Sequence, residues 1–151
     1  MADKINFQGI KIGIAKKAAA GGGTVTYTPI GCITDYSMSG AVRSEIDVTC
    51  SADTSKTYAA GLKDNGALDV SIFANFEGAG WKLLEEALSS PDNYLFQIIY
   101  PNAKVPATGS GTEKTFEGLV MSLSESGSVD SMITGQTSIK ITGDITTVPA
   151  K

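Results

Sequence analysis

The sequence predicts a mainly β protein: an antiparallel β-sandwich or barrel with one α-helix packed on it. Three observations carry that reading. Apolar and polar side chains alternate with a period of two through most of the chain, the pattern of strands with one buried face. The 151 residues include 15 Ser, 15 Thr and 17 Gly, a supply that suits short strands and polar turns. Helical spacing of apolar residues occurs once, around Trp81.

The elements follow in order. Ile10, Ile12 and Ile14 alternate with Lys11 and Gly13, and form a first strand. Thr24-Val25-Thr26-Tyr27-Thr28 is β-branched and aromatic; Pro29 ends this second strand or confines it to an edge, because proline cannot donate to a ladder. Residues 16–23, Lys-Lys-Ala-Ala-Ala-Gly-Gly-Gly, read as a flexible connection between two hairpin arms. Val42, Ser44, Ile46 and Val48 alternate with Arg43, Glu45, Asp47 and Thr49. Leu68, Val70, Ile72, Ala74 and Phe76 alternate with Asp69, Ser71, Phe73 and Asn75. From Tyr94 to Tyr100 both faces are apolar or aromatic apart from Gln97, as in a strand covered on both sides. Phe116 to Leu123 is mixed. Ile139, Ile141 and Ile145 alternate with Ser138, Lys140, Thr142 and Asp144. The helix lies between the fourth and fifth strands. Trp81, Leu84 and Leu88 form its stripe, flanked by Leu83 and Ala87, opposite Lys82, Glu85 and Glu86. Ser89-Ser90-Pro91 stops it. A helix of about three turns is marginal alone, so packing of its Trp81 face on the sheet must hold it.

The length fits a single domain, residues 1–151. One segment stands apart: residues 49–66 read as a long polar loop between two clean strands, longer than any tight hairpin. It contains Tyr58 and two neighbouring acid–base pairs, Asp53 with Lys56 and Lys63 with Asp64. Tyr36, Tyr58 and Phe73 are expected at the surface, where aromatic side chains suit an interface.

Composition excludes much chemistry. With no histidine, the Ser-His-Asp triad, Cys-His dyads and His-ligated metals are ruled out. Cys32 and Cys50 are too few for a structural zinc site, and are expected as free thiols in a reducing cytoplasm. No Gly-x-Ser-x-Gly elbow, phosphate loop or dense oxygen-ligand run is present. The carboxylate pairs Glu85-Glu86 and Glu45/Asp47 read as solvated faces. We therefore expect no catalytic residues, no metal and no cofactor. The net charge of −4 opposes binding to phosphate backbones, which needs a basic face. The start Met-Ala-Asp-Lys-Ile-Asn lacks the basic-then-apolar pattern of a signal peptide, and no apolar run approaches a bilayer span of roughly 20 residues.

The order of parts resembles the tail tube (major tail) proteins of long-tailed bacteriophages over roughly residues 5–147. The stretches that carry the resemblance are Gly31-Cys32-Ile33-Thr34-Asp35-Tyr36-Ser37, Arg43-Ser44-Glu45-Ile46-Asp47-Val48-Thr49 with the polar loop after it, and Asp69-Val70-Ser71-Ile72. The helix around Trp81, Tyr94-Leu95-Phe96-Gln97-Ile98-Ile99-Tyr100-Pro101, Phe116-Glu117-Gly118-Leu119-Val120 and Thr137-Ser138-Ile139-Lys140-Ile141-Thr142-Gly143 complete it. The match covers the tube domain, without the C-terminal immunoglobulin-like domain of some members.

The resemblance implies a tail-tube-like fold and a structural role. Subunits would form hexameric rings stacked into a hollow tube, with neighbouring sheets joined as a barrel around an acidic lumen. Genomic DNA would pass through without adhering, held off by like charge. Residues 1–8 would be an N-terminal arm contacting neighbours, and residues 49–66 an inter-ring assembly loop that orders on binding. Asp53, Lys56, Tyr58, Lys63 and Asp64 would lie at the ring–ring contact, and Arg43, Glu45 and Asp47 near the lumen or subunit boundary. Implied partners are further copies of the chain, a tape measure protein, a tail tip or baseplate initiator and a tail terminator, with no membrane binding. The protein would be assembled in the host cytoplasm and end in the virion tail. Two other readings compete: the tube protein of a related contractile injection or type VI secretion system, and an unrelated β-sandwich binding module.

Overall fold

The computed structural model describes residues 4–17, 23–104 and 109–151. Its elements in chain order are β1 (Lys11–Lys16), β2 (Thr28–Pro29), β3 (Ile33–Met38), β4 (Val42–Asp47), β5 (Tyr58–Asp64), β6 (Ala67–Phe73), α1 (Ala79–Ser89), β7 (Tyr94–Ile99), β8 (Glu113–Ser126) and β9 (Thr134–Val148). Seven strands form one antiparallel sheet in the order β2-β1-β7-β8-β9-β6-β3, and β4 with β5 forms a separate two-stranded ribbon. A mainly antiparallel β protein with one helix is the class the alternation predicts.

Connectivity explains the barrel-like closure. β2 and β3 lie on opposite edges of the sheet, yet only Ile30, Gly31 and Cys32 separate them in the chain. Laid flat, seven strands would hold their edges roughly 29 Å apart at about 4.8 Å per spacing. The link between Pro29 and Ile33 reaches at most ~14 Å, so the sheet must curl. Ile30 fills the gap it leaves, 2% exposed, and its amide donates to the Ile12 carbonyl at 3.1 Å. Gly31 takes φ +137° beneath the Ile72 side chain, a conformation open to glycine.

Inside the curl lies one core. Ile12 and Ile14 of β1, Leu68, Val70 and Ile72 of β6, Phe96 and Ile98 of β7, Phe116 of β8, and Ile139 and Ile141 of β9 meet there, with Trp81, Leu84 and Ala87 of α1 closing it. The helix begins at Gly78 without a side-chain cap. It seats closely because Gly80 has no Cβ: one would fall 2.6 Å from Ile30 Cα and onto the Pro29 carbonyl.

Several expectations need correction. Of residues 24–28, only Thr28 joins a strand, because β1 offers partners to Thr28 and Pro29 alone; Pro29 does sit on an edge. The glycine-rich connection has residues 18–22 outside the described residues. Residues 33–38 form a strand that the alternation does not predict. A bulge between Ile33 and Asp35 blurs its period, and Thr34 Oγ1 there donates to the Ser71 carbonyl at 3.1 Å. Leu88 is exposed, so the helical stripe is Trp81, Leu84 and Ala87. Tyr94–Ile99 is fully buried on one face and only half-buried on the other. Tyr36 is half-buried, stacked on Phe7 at 5.8 Å and edge-on to Tyr100 at 6.5 Å. Burial, with a hydrogen bond that the Tyr100 hydroxyl donates to Tyr36, pushes the Tyr100 hydroxyl up to about 12. Within the predicted N-terminal arm, Phe7 thus packs on the domain, and residues 1–3 lie outside the described residues.

The largest correction concerns residues 42–66. Every residue of β4 is exposed, so its apolar face meets no core of this chain. The segment read as a continuous loop contains β5, which pairs with β4 from Asp47↔Tyr58 to Val42↔Asp64. The true loop is the ten-residue crossing between Asp47 and Tyr58. The chain therefore carries a β-hairpin arm that stands off the barrel.

Candidate assembly surfaces

The arm is amphipathic with nothing beneath it. A bulge opposite Ser44 sets the register, with Gly61 against the Ser44 side chain. One face carries Val42, Ile46 and Val48 with Leu62, which is 91% exposed. The other carries Arg43 opposite Lys63, Glu45 opposite Ala60 and Asp47 opposite Tyr58. Like charges directly opposed destabilise a ribbon, and an isolated two-stranded hairpin is marginal in water. The arm's sequence thus fits a surface that another molecule covers.

Its carboxylates are mostly engaged. Asp47 Oδ1 accepts from the Thr49 amide at 3.0 Å. Asp53 Oδ2 accepts from the Cys50 amide at 2.9 Å and from Thr57 Oγ1 at 3.4 Å. Asp64 accepts from the Gly66 amide at 2.8 Å and pairs with Lys140 at 2.9 Å. These donors hold all three carboxyls below the usual carboxylate range. The neighbouring pairs expected from sequence are therefore replaced: Asp53 engages Cys50 and Thr57 rather than Lys56, and Asp64 engages Lys140 rather than Lys63. Among the described residues, Arg43, Lys56 and Lys63 make no ion pair.

The Asp53 turn has a pH signature. A carboxyl held low stabilises its turn above the unfolded value of 3.8, and that contribution is lost as pH falls through the lower folded value. The Cys50 amide resonance is expected to titrate with a midpoint below 3.8; a midpoint above it would show that the turn does not hold Asp53.

A second surface emerges only from register. On the outer face of β3, β6, β9 and β8, one row across the strands reads Ser37, Asp69, Ser138, Ser122. The next reads Asp35, Ser71, Gln136, Ser124. They line a shallow depression of about 250 Å³ with no cation in its wall. Sequence reasoning missed this face. Its trace is the recurrence of Asp-x-Ser at 35 and 69, Ser-x-Ser at 122 and Gln-x-Ser at 136, legible only once the strands are aligned.

The other candidates disperse. Glu85 accepts from Trp81 Nε1 at 2.9 Å, whereas Glu86 pairs with Lys16 at 2.6 Å, so the two carboxyls have separate partners. Glu45 and Asp47 project from the arm rather than across a cleft. Tyr58 and Phe73 are exposed, as expected of interface aromatics, and Cys32 and Cys50 are free and exposed. Among the described residues no helix is long and apolar enough to cross a membrane.

Comparison with known proteins identifies the family. The family described as phage tail tube, TTP, lambda-like matches residues 4–151. No curated protein matches in sequence. The fold is similar to the SPP1 tail tube, with a TM-score of 0.65 and 16% identity over 97% of this chain and 80% of that one. It is also similar to a subunit in the tail of an empty gene transfer agent particle refined with C6 symmetry (TM-score 0.66, 13% identity, 95% and 98% covered). A third similar chain belongs to the sheath–tube complex of an extracellular contractile injection system (TM-score 0.69, 8% identity, 97% and 93% covered). The match along nearly the whole chain sets aside a β-sandwich binding module. The chain belongs to the lambda-like phage tail tube family: it is a structural subunit of the tube, a component of the virion tail, and not an enzyme.

Proposed function

We propose that the chain forms hexameric rings, that the rings stack into a hollow tube, and that genomic DNA passes along it during ejection. The observation that carries this reading is the two-row face of β3, β6, β9 and β8. Short hydroxyls and the carboxylates Asp35 and Asp69 make a surface that is wetted, smooth and repulsive to phosphate. We assign the lumen to this face. Arg43, Glu45 and Asp47 ride on the arm and belong to the subunit boundary; Asp53, Lys56, Tyr58, Lys63 and Asp64 belong to the ring–ring contact. Sixfold order is supported by the symmetry of the similar gene transfer agent tail. Further partners would be a tape measure protein within the tube, a tail tip or baseplate initiator at one end and a terminator at the other. Exposed free Cys32 and Cys50 suit assembly in a reducing host cytoplasm. The contractile injection relatives, at 8% identity or near it, share the fold, while the lambda-like family match favours a phage tail.

Electron microscopy of the purified protein across a concentration series, with and without a tail tip complex, tests the reading. Hollow tubes of sixfold rings are expected. A monomer under every condition, or rings of another order, would overturn it. The lumen assignment has its own test. Tubes of the native chain should leave short DNA duplexes in solution. Tubes carrying Asp35→Lys and Asp69→Lys should retain them at low salt and release them as salt rises. Equal retention by both tubes would move the lumen elsewhere.

A further inference from the structure

The end of the barrel farthest from the arm is also apolar and exposed. β6 pairs with β9 from Ala67↔Lys140 to Phe73↔Thr134. The arm leaves at the Ala67 end, through Asn65 and Gly66. At the Phe73 end, ~20 Å along the strand, sits the turn joining β8 to β9. There Val129 is 91% exposed and Met132 70%, with Ile133 and Phe76 beside them. Phe76, Val129 and Ile133 line a groove of about 750 Å³, together with Glu125 and Gly127.

This end is built rather than frayed. The Ser131 amide donates to the Ser128 carbonyl at 3.2 Å, and the Ser128 amide donates to Ser131 Oγ at 3.1 Å. Between them Asp130 adopts φ 64°, which aspartate tolerates better than most residues. The Ala74 amide donates to the Ile133 carbonyl at 3.0 Å, tying the turn to the segment that leads into α1. Phe76 lies edge-on to Trp81 at 5.2 Å. A fixed apolar turn in water is a stability cost that a binding partner removes.

Resting on the tube reading, we propose that this end is the socket for the β4–β5 arm of a second copy in the adjoining ring. The apolar face Val42, Ile46 and Leu62 would seat on Phe76, Val129 and Ile133. Charge agrees with the fit. Lys56 and Lys63 have no ion pair on the arm, and Glu125 and Asp130 have none at the socket, among the described residues. The two surfaces differ and occupy opposite ends of β6. Their pairing is therefore head-to-tail, and each added subunit leaves a fresh arm and a fresh socket.

Cross-linking of the full chain tests this, with Cys32 and Cys50 first replaced by serine. Leu62→Cys with Val129→Cys in one chain, treated with a short bismaleimide under assembly conditions, should give a ladder of covalent oligomers. Each single variant alone should stay monomeric on a denaturing gel, and an equimolar mixture of the two should give dimers. Both positions are at the surface, so folding is not at issue. Self-linked dimers of Leu62→Cys would mean arm-to-arm pairing and overturn the socket. Sixfold tubes without a ladder would overturn the socket and leave the tube reading standing. Neither tubes nor mixed dimers would overturn both. A charge exchange gives a second readout. Glu125→Lys should raise the concentration needed for assembly about tenfold, the effect of ~1.4 kcal/mol, and Lys63→Glu in the same chain should reverse it. Failure of the second change to rescue the first would separate the two residues.

Discussion

Excising residues 41–64 and joining Gly40 directly to Asn65 should abolish tube formation and leave a folded monomer. The barrel is already closed where the arm departs. Met38 pairs with Leu68, and the Ser39 amide donates to the Ala67 carbonyl at 2.8 Å. A Cβ on Gly66 would lie 2.7 Å from the Ser39 carbonyl oxygen, so the two chain ends of the arm are in contact. The shortened chain replaces the arm with a four-residue turn, Ser39-Gly40-Asn65-Gly66, of a length common in hairpins. Asn65 stays and keeps its bond to the Gly143 carbonyl. No arm residue belongs to the core, and the Asp64–Lys140 pair that is lost is exposed, where ion pairs contribute little. The thermal midpoint should therefore change by only a few degrees. Assembly should vanish at every concentration, because both the apolar face and its cations leave with the arm. Microscopy, light scattering and a thermal melt on one preparation decide it. Normal tubes from the shortened chain would remove the arm from the ring–ring contact, and a broad, uncooperative melt would show that the arm helps hold the barrel.

What could be read from sequence, and what could not, follows where apolar surface is buried. Leu68-Val70-Ile72, Ile12-Ile14 and Ile139-Ile141 alternate because one side meets the core of the same chain, and these strands were legible at once. Val42-Ile46-Val48 alternates just as cleanly, yet it is exposed. The alternation records that a face is suited to burial, but not against which chain. β5 was hidden for a different reason. Tyr-Ala-Ala-Gly-Leu-Lys-Asp has no β-branched residue, and its bulge breaks the period that a reader would follow.

The candidate surfaces divide the same way. The arm was legible as an unusual segment, though as a loop rather than a ribbon. The hydroxyl face was not. Ser37, Asp69, Ser138 and Ser122 come from four separate strands, and register alone makes them a row. The socket was masked by its company, since Val129, Met132 and Ile133 sit among Ser, Gly and Asp, a composition that spells turn.

The second large effect is expected inside the domain, from Gly135→Ala. Gly135 lies in β9, buried, with the Trp81 ring over it. An added Cβ would fall 2.6 Å from Trp81 Cη2 and closer still to Cζ3. Its φ is not among the positive values of the chain, so alanine meets no backbone strain and the effect is steric. The indole has little room to retreat: Phe76 stands edge-on at 5.2 Å, and Nε1 is bonded to Glu85 at 2.9 Å. Overpacking of this kind costs about 1–3 kcal/mol, which in a domain of this size lowers the melting temperature by roughly 2–12 °C. Trp81→Leu alone should cost a further few kcal/mol, on the order of other large-to-small core changes. The two together should cost less than their sum by about 1–2 kcal/mol, because each relieves the other. Strict additivity would mean that ring and glycine are not in contact and that α1 sits differently on the sheet. The helix has no side-chain cap and only 11 residues, so it depends on this contact for its place. Phe76 depends on it in turn. Gly135→Ala should therefore disturb the socket as well as the core, and slow assembly even at temperatures where the subunit remains folded.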